Sequence, residues 1–403
     1  MIENKLKNQV EAELSRLNQY FLETDDTENN IGLYMGMSGS CLLLSLNYLT
    51  SGNEIYYEKL GSLLNKINDF INENPNPDPS FSSGLAGWGW LIEYMSQKGI
   101  LGTEADLLLS DVDIYLSSRM KAMLLKHNLD QLNGALGIGR YFMKRGKKDE
   151  VLTLLTYLEQ HKIESGDEIK WRRENWRKAG TYFYDFSLAH GVTGIIQFLI
   201  SCFRNNIEKE RCSYLIAGGA RFLIHNRQPF EEAGSFFPGI INFEDYQAGV
   251  HKNAQSRLAW CYGDLTIFYI LLDAADVLED EELRELAIAG LLKNTLRTSF
   301  EETSVIDAGF CHGASGIIHV FNKIWRKTNI ENFLRSSEFW LEQTLAYSSG
   351  KPAEEGYEFL VGNFEERSLK SCSTLLEGST GVALAYLSYL NPEISDWDES
   401  MLL

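Results

Sequence analysis

Along most of this chain apolar residues recur at steps of three and four, the spacing that gathers them on one side of an α-helix. The segment MSGSCLLLSLNYL, residues 37–49, shows the pattern, and LLEGSTGVALAYLSYL, residues 375–390, repeats it. Strand-like alternation is hard to find. The stretch 227–256, with RQPFEEAGSFFPGIINFEDYQ, is the best candidate for irregular or short β structure. The seven prolines, at 75, 77, 79, 229, 238, 352 and 392, all fall in stretches that read as loop. The segments between them are therefore free to be helical.

The predicted helices are organised by a repeat. A Gly-x-x-Gly start followed by an apolar run appears as YMGMSG (Gly36, Gly39), SSGLAG (Gly84, Gly87), LNGALG (Gly134, Gly137) and AHGVTG (Gly191, Gly194). It returns as CYGDLT, where Gly263 is kept and Thr266 replaces the second glycine, as CHGASG (Gly313, Gly316) and as LEGSTG (Gly378, Gly381). A period of roughly 50 residues holds two helices and two connections, the signature of stacked helix pairs. Glycine suits a helix N-terminus packed so closely on its neighbours that no side chain fits. An open array and a closed ring both meet this spacing. The first and last repeats are as apolar as the middle ones, whereas an open array wants polar caps, so closure into a double-layered helical barrel is expected.

Chemistry collects at one place in the repeat. The residues just before the first glycines are Met35, Ser83, Asn133, His190, Tyr262, His312 and Glu377; one step further back stand Tyr34, Ser82, Leu132, Ala189, Cys261, Cys311 and Leu376. Equivalent positions of a closed array lie at one end, so residues remote in sequence can converge there. Helix N-termini also favour thiolate over thiol. Cys261, Cys311 and His312 form a donor set suited to zinc with an open fourth position, and two thiolates would leave such an ion better at thiol chemistry than at hydrolysis. The plainer alternative is two buried cysteines and a histidine capping a helix. His190 is a candidate general acid/base, or else a satisfied histidine at a helix start. Asp130 could orient that imidazole or merely cap a helix. Arg257 could offset developing negative charge at the mouth of the site or form a loop salt bridge. Tyr262 could donate a hydrogen bond into the cavity or pack.

Charge narrows the classes of partner. With 37 Lys and Arg against 56 Asp and Glu, the formal charge is −19, which disfavours nucleic acid and anionic lipid. The charged N-terminal stretch MIENKLKNQVEAEL lacks the apolar core of a signal peptide, and the strongest apolar run, LTIFYILL at 265–272, is too short to span a bilayer. Six cysteines without a secretion signal point to reduced thiols, and the expected location is the cytoplasm. Cys41, Cys202, Cys212 and Cys372 read as core filling, and His319 as a packed, satisfied histidine. KWRRENWRK, residues 170–178, carries five basic residues and two tryptophans in an acidic chain. It is either a solvated face or a docking patch for an extended acidic peptide.

The motifs AHGVTG, RLAWCYGD and GFCHGASG, in this order within the glycine repeat, resemble the lanthionine synthetase C-like family, and within it the stand-alone lanthipeptide (lantibiotic) cyclases. The resemblance spans roughly Gly32 to Leu390. It implies an all-α fold, an α/α toroid of seven inner and seven outer helices, with 1–403 as a single cyclase domain and one catalytic Zn2+. Carried over residue by residue, it makes Cys261, Cys311 and His312 the metal ligands. His190 becomes the acid/base, Asp130 its pairing aspartate, and Arg257 and Tyr262 further active-site residues. Thr266 departs from the pattern and bears on packing only. Some members carry a β-rich extension for peptide docking, whose counterpart here would be 160–186 or 227–256.

The implied reaction is a Michael-type addition of cysteine thiols to dehydroalanine or dehydrobutyrine in a dehydrated precursor peptide, forming (methyl)lanthionine thioethers. No kinase signature is apparent, so dehydration would come from a separate dehydratase. That makes an assembly with a peptide exporter, and peripheral membrane association through it, plausible. Three rivals stand beside this reading. The first is a family member that binds zinc and glutathione and serves as an adaptor or thiol-adding enzyme. The second is a helical-toroid glycosidase, for which Glu377 and Asp130 are the only nominees. The third is a non-catalytic peptide scaffold.

Overall fold

The computed structural model describes residues 2–24, 30–102, 105–175, 178–250, 253–348, 356–361 and 368–403. Seven helices begin directly after the repeat glycines: Met37–Ser51, Leu85–Gln97, Ala135–Lys144, Val192–Arg204, Asp264–Leu278, Ala314–Thr328 and Ser379–Leu390. They are buried nearly all round. In Leu85–Gln97 every residue from Leu85 to Ile92 is buried, including Trp88 and Trp90. Seven others alternate with them: Ile2–Glu23, Glu54–Glu73, Ala105–Leu125, Lys148–Gln160, Lys209–His225, Glu281–Asn294 and Glu331–Ser348. These bury a single stripe; Glu54–Glu73 hides only Leu60, Leu63 and Ile67. The expected seven and seven are therefore present among the described residues, one layer apolar all round and one amphipathic.

The glycines owe their place to sterics. At Gly84 an added Cβ would lie 1.9 Å from the carbonyl oxygen of Asp78, and at Gly191 2.2 Å from that of Asp185. The loop before six of the seven helices folds back so tightly that the carbonyl six residues upstream occupies the space of a side chain; at Gly134 the Asn128 side-chain oxygen and the Asp130 backbone fill it. The second glycine meets both its own turn, with the Phe81 carbonyl oxygen 2.1 Å from a Cβ at Gly87 and that of Leu188 2.3 Å from one at Gly194, and the neighbouring repeat. A Cβ at Gly87 would stand 2.6 Å from the Leu33 nitrogen, and one at Gly194 2.9 Å from Gln131 Cγ. Gly263 alone among the first glycines has a left-handed backbone, with φ of 101°. Thr266, at the second position of that repeat, is fully buried.

The contacts divide the chain into two compact units, residues 1–118 with 306–401 and 403, and residues 119–305 with 402. In the first, helix Ser379–Leu390 packs on Ile2–Glu23 and on Met37–Ser51. Within this unit the seventh repeat thus meets the first. Backbone bonds string the turns together: Cys311 N–H donates to the Leu376 carbonyl (2.8 Å), Leu376 N–H to Tyr34 (3.1 Å) and Tyr34 N–H to Ser82 (3.0 Å). All four residues stand two before their first glycine. His319 is buried here between Phe310 and Trp397 and bonded to Asp398 at 2.8 Å, the satisfied histidine its apolar helix suggested.

The second unit contains repeats three to five and the β structure. Strands β1 (Ile163–Ser165) and β2 (Glu168–Lys170) form a hairpin. Strands β3 (Arg173–Glu174), β4 (Tyr182–Asp185) and β5 (Ile240–Asn242) form a three-stranded antiparallel sheet in that order. The stretches 160–186 and 227–256 are thus one structure rather than two alternatives, since β5 of the second pairs with β4 of the first. Buried Asp264, just after Gly263, accepts the backbone N–H groups of Phe236 (2.8 Å) and Phe237 (3.0 Å) and so pins this insertion to a repeat helix. A further hairpin, β6 (Phe359–Val361) with β7 (Ser368–Lys370), was not legible as strand in the sequence. Among the described residues no helix is long and apolar enough to cross a membrane.

Candidate active site

Two aspartates of the glycine-preceding turns build the centre of the site in the second unit. Asp130 Oδ1 accepts the N–H groups of Leu132 (2.8 Å) and Asn133 (3.0 Å), and Asp185 Oδ1 accepts those of Ser187 N–H (2.9 Å) and Oγ (2.6 Å). Such side-chain turns let a short loop hold its shape without a neighbour. Each aspartate spends one oxygen on its own turn and keeps the other for the cavity. Asp130 Oδ2 meets His190 Nδ1 at 2.7 Å and accepts Arg173 Nη2 at 2.7 Å. Asp185 Oδ2 accepts Arg173 Nη1 at 3.3 Å and the Tyr262 hydroxyl at 3.1 Å. The result is a chain His190–Asp130–Arg173–Asp185–Tyr262 that ties repeats three, four and five to strand β3.

The electrostatics follow from these partners. Burial pushes the His190 pKa down from 6.5, but the hydrogen bond and charge of Asp130, with Asp185 behind it, outweigh burial and leave it raised. Burial alone would raise Asp130; the bond to His190 and the nearby Arg173 hold it below 3.8 instead. Burial and the Asp185 charge drive Tyr262 far above the usual phenol range, so it stays a neutral donor. The bond at Nδ1 fixes the ring and leaves Nε2 as the nitrogen for proton transfer. A cavity of about 250 Å³ lies against His190, Asp130, Arg173 and Asp185.

Of the residues singled out in the sequence, His190, Asp130 and Tyr262 come together, with the rings of His190 and Tyr262 5.9 Å apart. Asp130 binds the imidazole and closes the turn before the helix, but it is not the helix cap it could have been: the N-cap is Gly134, with no side-chain cap bond. Arg257 is half-buried in the turn before Gly263, and its side chain has no hydrogen-bond or ion-pair partner among the described residues. Cys261 is buried at 6% exposure, and its carbonyl accepts the N–H groups of Leu188 (3.2 Å) and Ala189 (3.3 Å). It therefore stands level with the turn that carries His190. Cys311 and His312 are half-buried in the equivalent turn of the first unit. Two thiols and one imidazole are donors that zinc takes. No three His, Cys, Asp or Glu side chains are grouped closely enough to hold a metal ion among the described residues. Cys261, Cys311 and His312 are thus linked to zinc by donor type and shared repeat position alone.

Sequence reasoning missed Arg173 and Asp185. Asp185 could have been found, because it stands six residues before Gly191 as Asp78 does before Gly84 and Asp307 before Gly313. Arg173 gave no such signal. It belongs to no repeat, and only the pairing of β3 with β4 brings it beside Asp130. In the basic stretch, Trp176 and Arg177 lie outside the described residues.

Comparison with known proteins agrees with the repeat. A family model described as lanthionine synthetase C-like protein matches residues 27–402. Among solved structures, a nisin cyclase is similar with a TM-score of 0.75 at 17% identity, covering 99% of this chain and 97% of that one. A sugar epimerase from a ruminal bacterium (TM-score 0.46, 11% identity, 98% of this chain and 100% of that one) is a weaker likeness. So is a cellobiose 2-epimerase from Bacillus thermoamylovorans (TM-score 0.46, 10% identity, 96% and 98%). Neither epimerase bears on chemistry.

Proposed function

The chain belongs to the lanthionine synthetase C-like family, and from that membership we propose that it is a zinc-dependent lanthipeptide cyclase, with residues 1–403 acting as one cyclase domain. The observation that carries this reading is the His190–Asp130 pair, hydrogen-bonded at 2.7 Å beside a small cavity and one residue from the backbone rung of Cys261. The substrate is a dehydrated precursor peptide. Its cysteine sulfur bonds to the β-carbon of dehydroalanine or dehydrobutyrine, the alkene electrons move onto the adjacent carbonyl as an enolate, and Cα then takes a proton. The thiol proton and the proton added at Cα balance, so the peptide changes connectivity without changing mass.

Cys261, Cys311 and His312 are the residues that would hold zinc. When bound, zinc lowers the pKa of a cysteine thiol so that it reacts as thiolate near neutral pH. His190 holds the proton for Cα on Nε2. Asp130 keeps the ring oriented through Nδ1 and makes the protonated form accessible near neutrality. Arg257, half-buried with no partner among the described residues, suits the enolate charge, and neutral Tyr262 supplies a hydrogen-bond donor at the cavity wall. Arg173 and Asp185 are positioning residues that keep Asp130 and Tyr262 in place. In this reading the enzyme works in the cytoplasm with a separate dehydratase and a peptide exporter, reaching the membrane only through that assembly.

The test combines metal quantification with a cyclisation assay on a dehydrated, cysteine-containing peptide. Because ring closure leaves mass unchanged, free thiols are counted by alkylation. The wild-type protein should carry one zinc per chain and consume thiols, and Cys261→Ala and Cys311→Ala should each lose both properties. A zinc-free protein that closes rings at the wild-type rate would overturn the assignment.

A further inference from the structure

The insertion carries a second cavity, of about 610 Å³, that the cyclisation chemistry does not use. It borders the His190 cavity: His127, Leu129, Trp171, Arg172 and Glu174 line both. Its far wall is aromatic, with Tyr182, Tyr184, Phe243 and Tyr246. Arg172 and Arg173 are neighbours in sequence with opposite duties. Arg173 is spent on Asp130 and Asp185, whereas the exposed Arg172 packs its guanidinium 4.2 Å from the ring of Tyr182 and 5.8 Å from that of Phe243. Arg172 has no hydrogen bond or ion pair among the described residues.

The other charged groups on this lining are engaged. Lys170 pairs with Glu168 at 2.8 Å and donates to the Tyr246 hydroxyl at 2.6 Å. Glu174 accepts the Gly180 N–H at 2.9 Å, and Glu164 bonds the Tyr214 hydroxyl. The fully buried hydroxyl of Tyr184, on the same lining, has no partner among the described residues. An orphan of that kind costs roughly 1–3 kcal/mol until something supplies a partner. A guanidinium stationed against two aromatic rings, with no hydrogen bond of its own spent among the described residues, suits a planar anion.

We propose that this groove binds an acidic side chain of the precursor peptide, a few residues from the cysteine being closed, with Arg172 taking the carboxylate between Tyr182 and Phe243. The proposal rests on the cyclase reading for the identity of the peptide. Charge complementarity selects the occupant: in a chain of net charge −19, Arg172 is a cation left unneutralised beside the reaction cavity. Because the two cavities share a wall, a peptide lying extended through the groove delivers its next residues to His190. The groove thereby sets which cysteine arrives first. Among the described residues of the basic stretch, Arg172 does the docking, and Lys170 and Arg173 serve the fold and the site.

Three synthetic peptides test this. Each carries the same dehydroalanine and cysteine; one adds a flank with two aspartates, one the same flank with two asparagines, and one no flank. The aspartate flank should lower KM about tenfold relative to the asparagine flank, the size of one charge-assisted hydrogen bond. Arg172→Met should reduce that preference to within about twofold, and Arg172→Lys, which keeps charge but loses the planar fork, should retain about threefold. Fluorescence anisotropy with the cysteine replaced by serine measures the same preference without ring closure. Absence of cyclisation by any peptide would therefore refute the cyclase reading, while anisotropy still decides the groove. Equal binding of both flanks by the wild-type protein, or a tenfold preference surviving in Arg172→Met, would overturn the proposal.

Discussion

Replacing Asp130 by Asn separates the architectural duty of this residue from its chemical one. The amide retains an oxygen at Oδ1, so the bonds from Leu132 N–H (2.8 Å) and Asn133 N–H (3.0 Å) survive and the turn keeps its form. At the other position an NH2 replaces an acceptor that serves His190 Nδ1 and Arg173 Nη2, each at 2.7 Å. Two charge-assisted bonds of about 1.5–3 kcal/mol are lost. They are not additive, because Arg173 keeps Asp185 and water reaches His190, whose side chain is 25% exposed. A net loss of about 2 kcal/mol near pH 6 is the expected result. Its pH dependence carries a sign on each side. Asp130 lies below its ordinary 3.8, so its contribution is present above that value and disappears as pH falls through the depressed one. His190 lies above 6.5, so its contribution is complete below that value and disappears as pH rises through the elevated one. The stability gap between wild type and variant, measured by denaturant melts, should therefore be widest between these limits. The turnover of a dehydrated peptide should fall about 10²- to 10³-fold, the usual worth of a positioned general acid, since the amide no longer stabilises the protonated imidazole that delivers the proton. Zinc content should not change. A D130N protein that turns over at the wild-type rate across the whole pH range would refute the role given to the pair.

Two further substitutions test the fold that carries the site. Gly84→Ala sets a methyl 1.9 Å from the Asp78 carbonyl, and because that oxygen belongs to backbone, relief requires the loop to open; a loss of about 3 kcal/mol in denaturant melts is expected, and a change within 0.5 kcal/mol would contradict the steric account of the repeat. His319→Gln keeps a donor toward Asp398 but removes a titrating group. Burial lowers His319 below 6.5 despite Asp398, and Lys323 with His319 lowers Asp398 against its own burial, so both contributions vanish on acidification. The acid side of the stability curve below pH 6.5 should flatten in the variant, and a curve parallel to the wild type would remove His319 from the acid response.

The linear pattern by itself determined the seven glycine-led helices and their starting points. Each repeat writes the same local conflict, a loop folded back on a helix N-terminus, and glycine relieves it within six residues. His190, Tyr262 and the candidate ligands Cys261, Cys311 and His312 were legible for the same reason, because the repeat gives equivalent residues equivalent places. The choice between two readings of Asp130 was not. A helix cap and a histidine partner call for the same residue type, and only the tertiary structure shows the cap to be Gly134 and Asp130 to divide its oxygens between its own turn and His190, sixty positions away. Arg173, Asp185 and Arg172 were settled entirely by tertiary structure. Strand pairing across 160–186 and 227–256 depends on contacts remote in sequence, and two-to-four-residue strands carry too little alternation to announce themselves. That pairing sends one arginine to the aspartates and leaves its neighbour over two aromatic rings.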